Sequence, residues 1–182
     1  SADGHNWSMA AYATDYTEKT WVPCYGGLGF RYDYEGGDPI AAPTAGYLWD
    51  AAARKGLTVR NYGEYVGLSP ENPGTGFDGR FEGKGDVLRE NTCPFFPGFD
   101  TDILDNTRVD LWLREFRSFV ATGTFPRLSI VRLGNDHTVG TKRGAKTPRA
   151  MVADNDLALG RLVEAVSTSP VWKETAIFVV ED

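Results

Sequence analysis

The feature that most constrains the fold of this sequence is a helical stretch followed by a short β-rich run, repeated three times. Apolar residues recur at helical spacing across residues 108–121 and again across about 148–167, which predicts two helices that each bury one face. β-rich runs follow at 127–133 and 175–180. The second run is apolar without interruption, which is typical of a strand buried on both faces of a parallel sheet.

The third unit lies earlier in the chain. Residues 44–55 are predicted to form a helix with Thr44 as its N-cap, and a strand is predicted at 57–62. Gly56 and Gly123 suit helix C-termini, because glycine adopts the left-handed backbone at low cost. Helix and strand in alternation predict an α/β fold with a mostly parallel sheet between helical layers.

Composition excludes two classes of function. The chain has 182 residues and a net charge of −6, with no block of Lys or Arg that would attract nucleic acid. No stretch approaches eighteen consecutive apolar residues, so no membrane span is predicted. The two cysteines, Cys24 and Cys93, are compatible with a disulfide in an exported protein or with two unrelated thiols.

The chain is interpreted as one domain, residues 1–182, interrupted by a long excursion at 67–106. This excursion is rich in Gly, Pro, Asn, Asp and Phe and has no clean period. Long loops in compact domains are commonly functional. The excursion is therefore predicted to run over the surface as a lid or as a wall of a substrate pocket.

Polar residues follow each predicted strand, where open α/β sheets bind their ligands. Glu64 follows the first strand, Asp136 and His137 follow the second, and Glu181 and Asp182 follow the third. Carboxylate oxygens suit a hard cation, so the last pair is a candidate metal site. The alternative is that these residues only mark turns at polar strand ends.

The first residues precede a predicted helix through Ala10, Ala11 and Ala13. A serine just ahead of a helix N-terminus is well situated for phosphoryl transfer, because free N–H groups and the helix dipole favour a phosphate there. The alternative is that Ser1 or Ser8 is only an N-cap.

Four segments together resemble a known family. They are SADGHNWSMAAYATDYTEKTW, YLWDAAARKGLTVRNYGEY, LGNDHTVGTK and TPRAMVADNDLALGRLVEAVSTSPVWKETAIFVVED. They are similar to the bacterial phosphoesterases related to phosphatidylcholine-type phospholipases C and acid phosphatases, which belong to the alkaline-phosphatase superfamily. The resemblance implies that superfamily's sheet between helical layers, a divalent metal ion, a phosphate-ester substrate and a periplasmic or extracellular location.

The resemblance also implies roles for individual residues. Ser1 matches the nucleophile that also touches the metal, and the further metal ligands are Asp136, Glu181 and Asp182. A histidine that meets metal or phosphate corresponds to His137. The implied reaction is a two-step phosphoryl transfer through a phosphoserine intermediate.

Four further residues are expected to lie near the substrate. His5 is implied to orient or protonate the phosphate or the leaving group, and Asn6 to bind the substrate. Tyr62 and Glu64, which follow a strand, are expected to contribute to the choice of substrate.

Two pieces of the family pattern are missing from these residues: an upstream strand that ends in metal ligands and a downstream histidine segment. The resemblance therefore implies an internal fragment that hydrolyses phosphate esters poorly or not at all by itself, with a sheet edge that self-association would cover. The alternatives are a binding or structural module that keeps the fold without catalysis, and a sulfatase or phosphodiesterase of the same superfamily.

Overall fold

Six α-helices and four strands are present in the computed structural model, which describes residues 3–25, 36, 38–70 and 80–181. In chain order these elements are α1 (Gly4–Ala10), α2 (Asp15–Tyr25), α3 (Leu48–Arg54), β1 (Val59–Tyr62), β2 (Val66–Leu68), β3 (Phe81–Gly83), α4 (Asp86–Asn91), α5 (Asp105–Thr122), β4 (Leu128–Val131) and α6 (Pro148–Ser167). Short 3-10 turns lie at Pro39–Ala41, Asn135–His137 and Trp172–Glu174.

Strands β1 and β4 form a small parallel sheet between helices. Val59 pairs with Leu128 and Tyr62 pairs with Val131, so the two strands end together. The chain between β1 and β4 contains β2, β3, α4 and α5. This connection includes helices, as crossovers between parallel strands usually do. The predictions of strands at 57–62 and 127–133, and of a parallel arrangement, are confirmed.

Each face of this sheet is covered by its own apolar cluster, because successive residues of a strand point to opposite faces. Val59 and Ile130 belong to the cluster on one face, which consists of Tyr47, Trp49, Ala52, Val59, Tyr65, Leu88 and Ile130. On the other face Val131 packs against a cluster of Tyr62, Cys93, Phe96, Trp112, Phe116, Leu162 and Val166. The sheet is therefore enclosed on both sides.

The two long helices agree closely with their sequence patterns. Helix α6 spans the predicted residues, and the Thr147 hydroxyl oxygen caps it by accepting the N–H of Ala150 at 3.2 Å. Helix α5 ends at Gly123, whose φ of +68° is the left-handed conformation expected of a C-terminal glycine. These helices pack against each other on one side of the sheet.

The prediction of a strand at 175–180 is wrong for this structure. The segment is irregular, and Phe178, Val179 and Val180 are 85%, 62% and 68% exposed. A strand needs a neighbour to satisfy its backbone groups. Within the described residues the segment pairs with neither β1 nor β4, so no ladder satisfies its backbone groups. Only Ile177 from this run packs against the core.

The first two predicted helices have different boundaries from those expected. Helix α3 does not start from a cap at Thr44. Instead, the Asp50 carboxylate accepts the N–H of Tyr47 at 2.8 Å and stabilises the first turn at Leu48. Helix α1 stops at Ala10, because Ala11 adopts a left-handed φ of +52°.

The 67–106 excursion is more ordered than a surface loop, although its residues 71–79 lie outside the described part. Strands β2 and β3 form an antiparallel pair, and α4 follows them. Leu88 and Phe96 are fully buried in the two apolar clusters. A Cβ at Gly83 would lie 2.5 Å from Leu88, so glycine permits the close approach of β3 to α4.

Two expectations from composition are answered by the described residues. None of their helices is both long enough and apolar enough to cross a bilayer. Cys24 and Cys93 do not form the disulfide that the sequence left open.

Candidate functional site

A charged pair lies where β1 and β4 end. Glu64 follows β1 and Arg132 follows β4, and the carboxyl ends of parallel strands meet at one edge of the sheet. Arg132 Nε is 4.0 Å from Glu64 Oε2. The two side chains are 14% and 5% exposed, so the pair is largely shielded from water.

His5, from helix α1, lies between these two side chains. Its Nδ1 is 2.8 Å from Glu64 Oε1, and its Nε2 is 3.2 Å from Arg132 Nη2. The side chain is 13% exposed. The N-terminal motif therefore contacts the ends of both parallel strands through a single ring. We call His5, Glu64 and Arg132 the carboxyl-end cluster.

The backbone of Glu64 is fixed by Asn61, a fully buried residue of β1. Asn61 Oδ1 accepts the Glu64 N–H at 3.2 Å, and Asn61 Nδ2 donates to the Glu64 carbonyl at 2.7 Å. The same Nδ2 donates to the Thr92 hydroxyl at 2.9 Å. The turn between them needs Gly63, whose φ is +91° and at which a Cβ would lie 2.8 Å from the Pro97 carbonyl oxygen and 3.0 Å from the Phe96 ring.

Asn6 anchors α1 to the core beneath the cluster. It is 1% exposed, and its Oδ1 accepts hydrogen bonds of 3.3 Å from the hydroxyls of Tyr47 and Tyr65. Its Nδ2 is buried and has no hydrogen-bond partner among the residues that the structure describes. Asn6 thus contacts two core tyrosines rather than solvent at the sheet edge, and it fixes the neighbouring His5 in place.

Phe99 extends the cluster toward His137. The Arg132 guanidinium lies over the Phe99 ring at 5.2 Å, and the His137 ring meets the same ring edge-on with centroids 5.1 Å apart. Phe99 is 45% exposed, and His137 and Asp136 are exposed. The predicted residues His5, Glu64 and His137 are therefore brought to one region.

A second buried polar group holds the loop that follows β4. The Asp105 carboxylate accepts the N–H groups of Gly134 and Asn135 at 3.1 and 2.8 Å. Asp154 of α6 accepts the N–H of Asp105 at 2.6 Å and the Asn135 side-chain amide at 2.8 Å. We call Asp105, Asn135 and Asp154, together with Arg108, the interhelix network.

Hydrogen bonding outweighs burial at Asp154. Burial acts to raise the pKa of this carboxyl, but the side-chain amides of Asn106 and Asn135 and the backbone N–H of Asp105 stabilise the ionised form. The pKa of Asp154 therefore lies below its ordinary value. Asp154 has a structural role, because it ties α6 to the N-terminus of α5.

Arg108 holds the segment that carries Phe99. Its guanidinium is 1% exposed and donates to the carbonyls of Pro97, Gly98 and Asp100 at 3.0, 3.0 and 2.8 Å. Its Nε also lies 3.0 Å from Asp105 Oδ1. The interhelix network thus fixes both loops that border the carboxyl-end cluster.

Tyr62, predicted to lie near the substrate, faces the other apolar cluster. It is 1% exposed, and its hydroxyl donates to Glu115 Oε2 at 3.0 Å. Arg60 forms a two-pronged ion pair with the same carboxylate. Burial, followed by the Glu115 charge, raises the pKa of Tyr62, and burial raises the pKa of Cys93 to about 11. This group ties β1 to α5.

The structure describes only two of the four predicted metal ligands. Ser1 and Asp182 lie outside the described residues, while Asp136 and Glu181 are exposed. Among the residues that the structure describes, no three His, Cys, Asp or Glu side chains converge closely enough to hold a metal ion. The described residues do not by themselves form a metal site.

Sequence reasoning missed two members of this region, Arg132 and Phe99. Arg132 was assigned to the interior of a strand at 127–133, but β4 ends at Val131, which turns the next side chain toward the site. A charge at the carboxyl end of a strand was the available signal. Phe99 had no periodic context that could distinguish it from the other aromatic residues of the excursion.

Comparison with known proteins gives no relative. No protein-family model, no curated protein and no solved structure matches this chain.

Proposed function

We propose that this chain carries the nucleophile and phosphate-binding part of a metal-dependent phosphoesterase of the alkaline-phosphatase type. The observation that carries the proposal is the contact of His5, from the N-terminal motif, with Glu64 and Arg132 at the ends of two parallel strands. The sheet between helices agrees with this class of fold. The alkaline-phosphatase-like form of the complete domain is part of the proposal.

The chemistry of the carboxyl-end cluster supports a phosphate ligand. A guanidinium is planar and always charged, and its fork of N–H donors matches phosphate oxygens. Glu64 balances the charge of Arg132 in the absence of a ligand, so the site has no uncompensated buried cation. His5 contacts both Glu64 and Arg132, so its ring links the two charged side chains.

The proposed reaction has two steps. Ser1 Oγ attacks phosphorus, the P–O bond to the alcohol breaks, and the alcohol oxygen takes up a proton. Water then attacks the phosphoserine and releases inorganic phosphate and the serine hydroxyl. Arg132, oriented by His5, would stabilise the phosphoryl oxygens, and His137 would donate a proton to the leaving group.

The proposal includes a divalent cation, and it rests on the residues that would bind the ion. Ser1, Asp136, Glu181 and Asp182 are the proposed ligands, and all four have oxygen donors of the kind that such ions prefer. When bound, the ion would favour the deprotonated serine hydroxyl. The proposed substrate is a phosphate ester, and the proposed location is periplasmic or extracellular. We also propose that copies of the chain contact each other through a sheet edge.

The test is hydrolysis by the open reading frame that encodes this chain, expressed in full and supplied with divalent metal. We expect turnover of an aryl phosphate mono- or diester that stops when a chelator is added. Ser1→Ala should abolish turnover. The matched control is Ser8→Ala, because Ser8 only donates to the His5 carbonyl at 3.3 Å and its loss should have a small effect.

Each other outcome has a defined meaning. Equal activity of the wild type and Ser1→Ala refutes the nucleophile, and loss only in Ser8→Ala moves that role by seven residues. Turnover of sulfate esters in place of phosphate esters would identify a sulfatase. No hydrolysis of either ester, with phosphate still bound, would favour a binding module.

A further inference from the structure

The two nitrogens of His5 have partners with opposite requirements. Glu64, as a carboxylate, can only accept a hydrogen bond, whereas Arg132 can only donate one. Nδ1 therefore carries the hydrogen that faces Glu64 Oε1 at 2.8 Å, and Nε2 presents its lone pair to Arg132 Nη2 at 3.2 Å. The two contacts together select a single tautomer of the ring.

We propose that Glu64 is a positioning residue that holds His5 in the Nδ1–H tautomer, so that Nε2 orients the Arg132 guanidinium toward a phosphate ester. The phosphate ligand in this inference rests on the proposed function, whereas the tautomer rests on the contacts of His5 alone. It replaces the sequence-based assignment of Glu64 as a substrate contact with a role that Glu64 performs through His5.

The burial and backbone bonding of Glu64 support this role. Its side chain is 5% exposed, so it meets the ring of His5 rather than a ligand from solvent. Asn61 holds both its N–H and its carbonyl, which fixes the direction from which the carboxylate approaches Nδ1. A partner that fixes one ring nitrogen also determines what the other nitrogen can do.

The consequence for Arg132 is a loss of freedom before any ligand arrives. Its guanidinium is constrained by groups that include Nε2 of His5, the Glu64 carboxylate at 4.0 Å and the Phe99 ring at 5.2 Å. A donor that is already oriented loses less conformational entropy on binding. In the other tautomer Nε2–H would point at Nη2–H, and this constraint would become a repulsion.

The tautomer can be measured directly, because the chain contains only two histidines. Long-range ¹H–¹⁵N correlation spectra of the wild-type chain at about pH 8, above the ordinary pKa of histidine, distinguish protonated from unprotonated ring nitrogens. His137→Gln assigns the two rings. We expect a protonated Nδ1 and an unprotonated Nε2 for His5 without any ligand. An Nε2–H ring, or a mixture of tautomers, overturns the inference even if phosphate binds.

Variants at Glu64 test whether the tautomer matters for binding. Glu64→Gln retains an acceptor and should retain the tautomer, whereas Glu64→Leu should weaken the preference for it and raise the Kd for inorganic phosphate about tenfold. Glu115→Leu removes another partly buried glutamate bound to an arginine, and it should leave the His5 spectrum and the Kd unchanged.

The remaining outcomes also decide the question. Wild-type affinity in Glu64→Leu would overturn the inference and leave the proposed function standing. Failure of the wild type to bind phosphate would overturn the proposed function and, with it, the role of Glu64, whichever tautomer is seen. If Glu64→Leu does not fold, the wild-type spectrum still tests the tautomer.

Discussion

The carboxyl-end cluster and the interhelix network both bury an arginine beside a carboxylate, yet their partners differ. Arg108 of the interhelix network is 1% exposed and donates to three backbone carbonyls, while its partner Asp105 accepts two backbone N–H groups. Arg132 of the carboxyl-end cluster contacts the side chains of His5, Glu64 and Phe99.

This difference separates a structural ion pair from a candidate site. Charges bound to backbone groups fix the chain and cannot exchange those partners for a ligand without unfolding the loops that they hold. Charges bound to side chains beside an exposed aromatic ring can rearrange around an incoming anion. The kind of partner is therefore more informative here than the degree of burial.

The largest expected effect is on stability, from Arg108→Met. The substitution leaves Asp105 buried without its cation and removes three bonds to carbonyls, and breaking a buried pair in this way costs about 3–5 kcal/mol. Urea unfolding followed by circular dichroism measures it. The control is Arg89→Met, because the Arg89 side chain is 56% exposed and its pairs with Glu82 and Asp86 are worth less than about 1 kcal/mol. Equal losses of unfolding free energy in Arg108→Met and Arg89→Met would contradict the view that the buried Arg108 pair contributes more than an exposed pair.

A smaller effect concerns acid stability and Asp154. Its pKa is lower in the folded chain than in the unfolded chain, so its contribution is fully present above the unfolded pKa and is lost as pH falls through the folded pKa. We expect the stability advantage of the wild type over Asp154→Asn to shrink below about pH 4. Asp156→Asn, at an exposed position of the same helix, should follow the wild type. If the stability advantage of the wild type instead grew as the pH fell, the pKa of Asp154 would be raised in the folded chain, which would contradict this account.

The smallest effect should come from Phe99→Leu. Loss of a cation–π contact worth about 0.5–1 kcal/mol frees Arg132 and should weaken inorganic phosphate binding about two- to fivefold. Phe95→Leu is a closely matched control, because Phe95 is 48% exposed and lies under Arg80 at 5.4 Å, outside the carboxyl-end cluster. Equal phosphate affinities in the two variants would show that Phe99 does not constrain Arg132.

The elements that were predicted well carry their own determinants. Helix α6 has a Thr147 cap and a regular apolar face, and α5 ends at a glycine that adopts the required backbone. Local signals of this kind are readable from sequence. The run at 175–180 was misread because a strand also depends on a partner elsewhere in the chain, which an apolar pattern does not specify.

The candidate site was predicted only in part for a related reason. Glu64 and His137 were found from their positions after strands, and His5 from the family resemblance of the N-terminal segment. Arg132 was missed because the end of β4 was placed two residues too late. The pairing of Glu64 with His5 joins residues that are 59 positions apart, and only the fold specifies it.

The most direct test of the central claim is a titration of the chain with inorganic phosphate, followed by amide NMR shifts, for the wild type, Arg132→Gln and Arg60→Gln. Arg60 is a close control, because it is also paired with a glutamate, and its side chain is 19% exposed against 14% for Arg132. Hydrogen bonds to charged groups contribute about 1.5–3 kcal/mol, so Arg132→Gln should weaken binding about tenfold or more. We expect Arg60→Gln to lower stability and to retain wild-type affinity. Wild-type affinity in Arg132→Gln, equal losses in both variants, or no binding by the wild type would contradict the assignment of the carboxyl-end cluster as a phosphate site.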